Sequence, residues 1–223
     1  MRVMLLAAGR GERLRPLTDR CPKALVEVAG RTLLERHLAR LAAGGVETVV
    51  INLGWLGERI VERVGDGRRF GLDVVYSPEY DHVLETGGGI LRALPVLGDT
   101  PFWVINADIV TDWPVRPPTL ADDVDAHLVL VRPPDGSVQG DFDLAKGRVV
   151  VGDAPALTFS GIACYRPAFF AGLAPGRFPL APLLQRAAAA GRVSGELHDG
   201  LWADVGTPDR LARATAALQD ASR

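Results

Sequence analysis

The sequence predicts an α/β protein built on a mostly parallel, doubly wound sheet, with a smaller β-rich half toward the C-terminus. Three observations predict it. Short apolar runs alternate with amphipathic stretches over the first half of the chain, and a glycine-rich turn follows the first run. Beyond residue 113, strand-like segments succeed one another, broken by Gly, Pro and Asp.

Met1 to Ala8 carries no charge apart from Arg2 and reads as a buried strand. "TLLERHLARLAAGG" sets Leu34, Leu38 and Leu41 at i, i+4 and i+7 and stops at Gly44-Gly45, an amphipathic helix with a glycine end. "ETVVINL" is a buried strand, "WLGERIVERVGDG" a helix and "LDVVYS" a third strand. "GGGILRALPVL" is a helix entered through glycines, and "PFWVINADIV" is the fourth strand. Strands alternating with helices argue for parallel neighbours.

The Pro-rich "DWPVRPP" at residues 112–118 is the expected seam. After it, "DAHLVLVRPP", "DFDLAKGRVVVG" and "ALTFSGIACYRP" read as strands that pair antiparallel in a β-rich lid. "PLAPLLQRAAAAG" returns to helix and "LWADVG" is a short strand. "TPDRLARATAALQDASR" closes with a helix, Thr207 as its N-cap and Pro208 at its first position. The expectation is a single domain of two halves, residues 1–112 and 113–223.

At 223 residues the chain can bury a sizeable core, and 48% hydrophobic with 23% charged residues is globular composition. A net charge of -2 and a pI near 6.1 argue against broad nucleic-acid binding. No apolar run reaches the roughly 18 residues of a membrane span, and the N-terminus lacks the shape of a signal peptide. Cys21 and Cys164 lie far apart and form no CxxC, so they read as packing residues in a reduced, cytoplasmic setting. His37, His82, His127 and His198 have no paired spacing and read as packing or surface residues.

The chemistry concentrates in the loop after the first strand. Arg10, Arg13, Arg15, Arg20 and Lys23 face only Glu12 and Asp19 there, a local cationic surplus in an acidic chain. Gly9 and Gly11 let backbone N–H groups approach phosphate oxygens at the carboxyl edge of the sheet, where open α/β sheets bind ligands. The loop is neither of the two familiar phosphate loops. Leu14 stands where a dinucleotide fingerprint needs its third glycine, and no G-x-x-x-x-G-K-[ST] occurs. Only Lys23 and Lys146 are lysines, and Lys23 follows Pro22, which constrains its backbone. Asp108 and Asp204 each end an apolar run and are expected at strand ends on the ligand edge. Two carboxylates beside phosphates suit Mg²⁺, which takes oxygen ligands and leaves positions to water and substrate.

"LAAGRGERLRPLT" with "PKALVEVAGRTLLE" resembles the signature of the sugar-1-phosphate nucleotidyltransferases, and "LETGGGI", "TFSGI", "LAPLLQRA", "VSGE" and "WADVGT" follow in the order expected of that family. The resemblance covers almost the full length. One departure is Asn106-Ala107-Asp108, where the family commonly has Asn-Gly-Asp. The resemblance implies a Rossmann-like, GT-A-like nucleotidyltransferase fold. It implies transfer of UMP from UTP to a sugar 1-phosphate, with N-acetylmuramic acid α-1-phosphate the acceptor it favours. Carried over, Ala8, Gly9, Gly11, Glu12 and Arg13 fall in the triphosphate and nucleoside loop, with Lys23 on the phosphates. Glu85, Thr86, Gly87 and Gly88 fall in the loop that meets the base, and Asn106 also falls in the nucleotide site. Asp108 and Asp204 match the metal carboxylates, and Arg13 and Lys23 the catalytic cations. Asp141, Ser160 and Gly161 fall where the sugar pocket would lie. The competing readings are a sibling that transfers GMP or dTMP, and an inert regulatory subunit that binds a nucleotide sugar.

Overall fold

A computed structural model describes residues 1–80, 83–133 and 139–220. β1 (Arg2–Leu6) leads through the glycine loop to a hairpin of β2 (Glu27–Val28) and β3 (Arg31–Thr32). Next come α1 (Leu33–Ala43), β4 (Thr48–Leu53), α2 (Gly57–Val64), β5 (Asp73–Pro78) and α3 (Glu85–Leu97). β6 (Phe102–Asn106) and β7 (Ile109–Thr111) follow, then β8 (Ala126–Val131), β9 (Asp143–Ala145), β10 (Arg148–Val150) and β11 (Thr158–Tyr165). α4 (Ala181–Ala189), β12 (Val193–Leu197), β13 (Trp202–Asp204) and α5 (Pro208–Asp220) close the described chain.

Among the described residues, nine strands form one sheet in the order β5-β4-β1-β6-β11-β8-β12-β10-β9. β5, β4, β1 and β6 are parallel, as the alternating first half predicts. β11 runs antiparallel between β6 and β8, and β12 lies parallel to β8. The lid expected of residues 113–223 is therefore an extension of the central sheet. It ends in the antiparallel pair β9–β10, closed by Lys146 and Gly147 at φ 50° and 74°, the left-handed pair that a tight hairpin turn requires.

Alternation along the strands sends side chains to both faces. In β1, Val3 and Leu5 join the core under α1 and α2, and Met4 joins the opposite core under α3 and α4. Helices on both faces are what doubly wound means. Each of these side chains is fully buried, a burial that contributes about 1.5–3 kcal/mol. The Thr32 hydroxyl accepts the Glu35 N–H at 3.1 Å and so fixes the start of α1. Thr207 does the same for α5, accepting the Arg210 N–H at 3.3 Å.

The segment "PFWVINADIV" is not one strand. β6 stops at Asn106, the chain turns at Ala107 and Asp108, and β7 leaves the main sheet to pair antiparallel with β13. This ribbon and the β2–β3 hairpin share a third apolar cluster with α5, in which Leu14, Val28, Val110, Val205 and Ala214 are buried. α5 thus braces the ribbon and the glycine loop together.

Candidate active site

A cleft of about 220 Å³ opens at the carboxyl ends of β1, β4 and β6. Its walls are Leu6 to Gly9, Lys23 and Ala24, Asn52, Glu79, Val83, Glu85 and Thr86, and Asn106 to Asp108. Ala8, Gly9, Lys23, Glu85, Thr86, Asn106 and Asp108 are thus brought together around one space. Gly11, Glu12, Arg13, Gly87, Gly88, Asp141, Ser160, Gly161 and Asp204 are not among its lining residues.

The glycine loop is shaped by three single turns of 3-10 helix, Glu12–Leu14, Leu17–Asp19 and Lys23–Leu25. Gly11 has φ 67°, and a Cβ there would lie 3.0 Å from both Lys23 Cβ and Thr18 Cγ2. Its carbonyl accepts the Thr18 hydroxyl at 2.7 Å. Gly11 therefore serves Lys23, whose stem packs in the space a side chain would fill. The Lys23 ammonium is ion-paired with the Asp108 carboxylate, so the candidate phosphate cation and a candidate metal ligand meet in the cleft. Arg10 stacks over the Trp55 ring at 4.5 Å, and Arg15 pairs with Asp19 at 3.0 Å, so neither reaches inward. Arg13 is exposed, and its guanidinium and the Asp204 carboxylate both flank Gly206.

Asp108 sits in the turn between β6 and β7 rather than at the end of a sheet strand. Asp204 ends β13, outside the main sheet. The ribbon brings them together: Asp204 is in register with Ile109, and the Val205 N–H donates to the Asp108 carbonyl at 2.9 Å. Asp204 pairs with Arg210. Both carboxylates keep part of their surface open, 31% for Asp108 and 22% for Asp204. No group of three or more His, Cys, Asp or Glu among the described residues could hold a metal ion. An ion here would rest on these two hard oxygen donors and take its other ligands from phosphate and water, a donor set that fits Mg²⁺. Ala107, in place of the family's glycine, is buried and is not a positive-φ residue, so this turn needs no glycine there.

The glycines of α3 have an occupant the sequence did not reveal. A Cβ on Gly87 would lie 2.4 Å from the Phe178 ring, and one on Gly88 would lie 2.1 Å from the Gly176 carbonyl oxygen. Both glycine N–H groups donate to the Phe178 carbonyl, at 3.1 and 3.3 Å. The room these residues leave is filled by the chain itself, and their N–H groups are spent there rather than held out to a base. Glu85 stands before them with φ 58°, a left-handed conformation that costs a non-glycine residue about 1–2 kcal/mol, and pairs with Arg177 at 2.7 Å. The segment 176–178 therefore fixes the start of α3 at the cleft.

On the expected sugar side, Ser160 is 1% exposed and its hydroxyl accepts the Ile162 N–H at 3.2 Å, so it braces an irregularity of β11 instead of facing solvent. Gly161, at φ 83°, abuts the Asn106 side chain, with Nδ2 2.5 Å from where a Cβ would be. Asp141 is exposed and accepts the Phe159 N–H at 2.9 Å. His37 and Cys164 are buried, in keeping with packing; His82 lies outside the described residues. Two polar wall residues escaped the sequence reading, Asn52 and Glu79, only 3% and 4% exposed. The signal was an asparagine inside the apolar run "TVVINL" and a glutamate directly after the next strand.

Comparison with known proteins gives the same outline. Residues 3–128 match the family model of the MobA-like NTP transferase domain. The chain is 46% identical to an N-acetylmuramate alpha-1-phosphate uridylyltransferase of Neisseria meningitidis serogroup B, over 97% of each chain. It is 36% identical to a protein of the same name from Caulobacter vibrioides, over 98% of this chain and 97% of that one. In fold it resembles a Bacillus anthracis protein assigned as a glucose-1-phosphate thymidylyltransferase, with a TM-score of 0.84 at 20% identity, covering 99% of this chain and 96% of that one.

Proposed function

This chain belongs to the MobA-like NTP transferase family, and on that premise we propose that it transfers UMP from UTP to a sugar 1-phosphate, giving a UDP-sugar and pyrophosphate. The acceptor proposed is N-acetylmuramic acid α-1-phosphate, the substrate in the name of the two full-length relatives, and the product suits peptidoglycan recycling in the cytoplasm. The observation that carries the reaction class is the meeting of Lys23 and Asp108 in a cleft walled by the glycine loop. That pairing puts a cation beside a carboxylate where a triphosphate would lie.

The acceptor's phosphate oxygen attacks the α-phosphorus of UTP. One P–O bond forms as the bond to the departing pyrophosphate breaks, and no protein nucleophile is needed. Catalysis is then positioning and charge stabilisation. Backbone N–H groups around Ala8 and Gly9 cradle the phosphates, and Lys23 follows the charge on the reacting group. Arg13 holds the leaving pyrophosphate from the rim. Asp108 and Asp204 would hold Mg²⁺, which when bound neutralises phosphate charge. Glu85, Thr86 and Asn106 border the nucleoside, and the Gly161 backbone borders the sugar. Residues 1–112 thus serve the nucleotide, and 113–223 complete the sugar and metal sides.

Pyrophosphate release from each NTP with a panel of sugar 1-phosphates tests this. UTP with N-acetylmuramic acid α-1-phosphate should give the highest turnover, and mass spectrometry should identify the UDP-sugar. Equal use of GTP or dTTP would replace the uridylyl assignment. Predominant UDP-N-acetylglucosamine from an equal mixture of acceptors would replace the sugar. No turnover with any pair would leave a binding subunit.

A further inference from the structure

Asn52 and Glu79 form a buried polar bridge between the two segments that face the nucleotide. The Asn52 Oδ1 accepts the Ala7 N–H at 2.6 Å, and Ala7 leads directly into Ala8 and Gly9. The Asn52 Nδ2 donates to Glu79 Oε1 at 2.8 Å, and the Leu84 N–H donates to Glu79 Oε2 at 3.2 Å, immediately before Glu85 and Thr86. Among the described residues no cation lies within ion-pair distance of Glu79, and the donors that reach this carboxylate, which is 4% exposed, are neutral. Burying such a group is costly unless its bonds are specified. α3 makes room for it: a Cβ on Gly89 would lie 2.6 Å from Glu79 Oε1.

We propose that Asn52 and Glu79 are a positioning pair for the NTP, which locks the glycine loop and the start of α3 at one separation across the cleft. The inference rests on the transferase reading above. The donor inventory makes it specific. Asn52 has one acceptor, used by Ala7, so it can only donate toward residue 79. Residue 79 must then accept twice, from Asn52 and from Leu84, through two oxygens. A carboxylate can do this and a primary amide cannot.

The Glu79→Gln variant keeps the volume but leaves one of the two donors facing an NH₂ group. We expect the KM for UTP to rise about tenfold while the KM for the sugar phosphate stays within about twofold. Asn52→Asp alone sets two carboxylates against each other and should do the same. The double variant, Asn52→Asp with Glu79→Gln, restores the whole chain of bonds. The carboxylate introduced at position 52 accepts from Ala7 and from the amide introduced at position 79, whose oxygen accepts from Leu84. Its KM for UTP should return to within about threefold of the starting protein. Hydrogen exchange at the Ala7 and Leu84 amides should quicken in the single variants and slow again in the double.

With an active enzyme, three outcomes would overturn the inference. A double variant as impaired as Glu79→Gln would mean that the charge at position 79 acts by itself. Equal rises in both KM values, or a fall in melting temperature with both KM values unchanged, would mean a merely structural role. Failure of the transferase reading would appear in the unmodified protein as absence of turnover with every NTP; the bridge would then be judged by calorimetric UTP affinity and amide exchange across the same variants, and variants binding UTP like the starting protein would overturn it.

Discussion

Lys23 and Asp108 are each other's counter-ion in the cleft. Lys23→Ala should lower kcat more than it raises the KM for UTP, because a charge matched to the reacting phosphate matters most in the transition state. If neither constant moves more than about twofold, under roughly 0.4 kcal/mol, the lysine is only a counter-ion to Asp108. Asp108→Asn and Asp204→Asn should each lower turnover by orders of magnitude with little change in folding, since neither alters volume. Near-normal rates at limiting Mg²⁺ for either variant would remove the metal assignment. At this scale the sequence was readable where composition is unusual. One of two lysines, set after a proline in a glycine loop, stands out. The Asn52–Glu79 bridge did not, because a buried polar contact between one strand and the residue that follows the next has no local spacing to reveal it.

At the scale of elements, α3 and the ribbon decide the shape of the site. A glycine-to-alanine change inside a helix usually stabilises by about 0.5–1 kcal/mol. Gly88→Ala should do the opposite, because its Cβ would lie 2.1 Å from the backbone oxygen of Gly176, which cannot rotate away. A net loss of about 1–2 kcal/mol is expected, the range of overpacking. A fall in the urea midpoint at constant m-value would measure it, and a gain in stability would refute the packing role. The ribbon is tied to β11 by Trp202, whose Nε1–H donates to the Ser160 carbonyl at 2.9 Å, two residues before Asp204. Trp202→Phe keeps the packing and removes that bond. Turnover should fall about threefold to tenfold with the Mg²⁺ requirement raised, as expected if the ribbon's carboxylates lose their alignment. An unchanged Mg²⁺ activation curve would count against it. Periodicity gave the helices and the parallel strands. It missed the break at Ala107 and Asp108 because "PFWVINADIV" is apolar throughout, and the pairing of β7 with β13 joins residues nearly a hundred positions apart. Phe178, the occupant of the space beside Gly87, is equally remote.

For the whole molecule, two groups on the α1 side of the sheet contribute to the response to acid in separate pH windows. His37, buried in α1, is held down to about 3 from 6.5, first by burial and then by the Arg40 charge, against the opposing influence of the Ile109 backbone. Glu196, in β12, sits at about 2 although burial works to raise it. His127, with its Nε2 at 3.9 Å, the ion pair with Arg116 and the hydrogen bond from Trp113 at 2.7 Å together outweigh that burial. Both shifts act in one direction. Below pH 6.5 the unfolded chain protonates His37 and the folded chain does not, so the stability present above 6.5 is lost as the pH falls toward 3. Below 4.5 the unfolded chain likewise protonates Glu196, and that contribution is lost as the pH falls toward 2. The two windows separate the groups experimentally. Between pH 6.5 and 5, the urea midpoint of the unmodified protein should decline, and His37→Gln should flatten the decline. Glu196→Gln should run parallel to the unmodified protein over that interval and diverge only below about pH 4.5. If His37→Gln follows the unmodified protein down between pH 6.5 and 5, the buried histidine is not what makes this fold sensitive to mild acid.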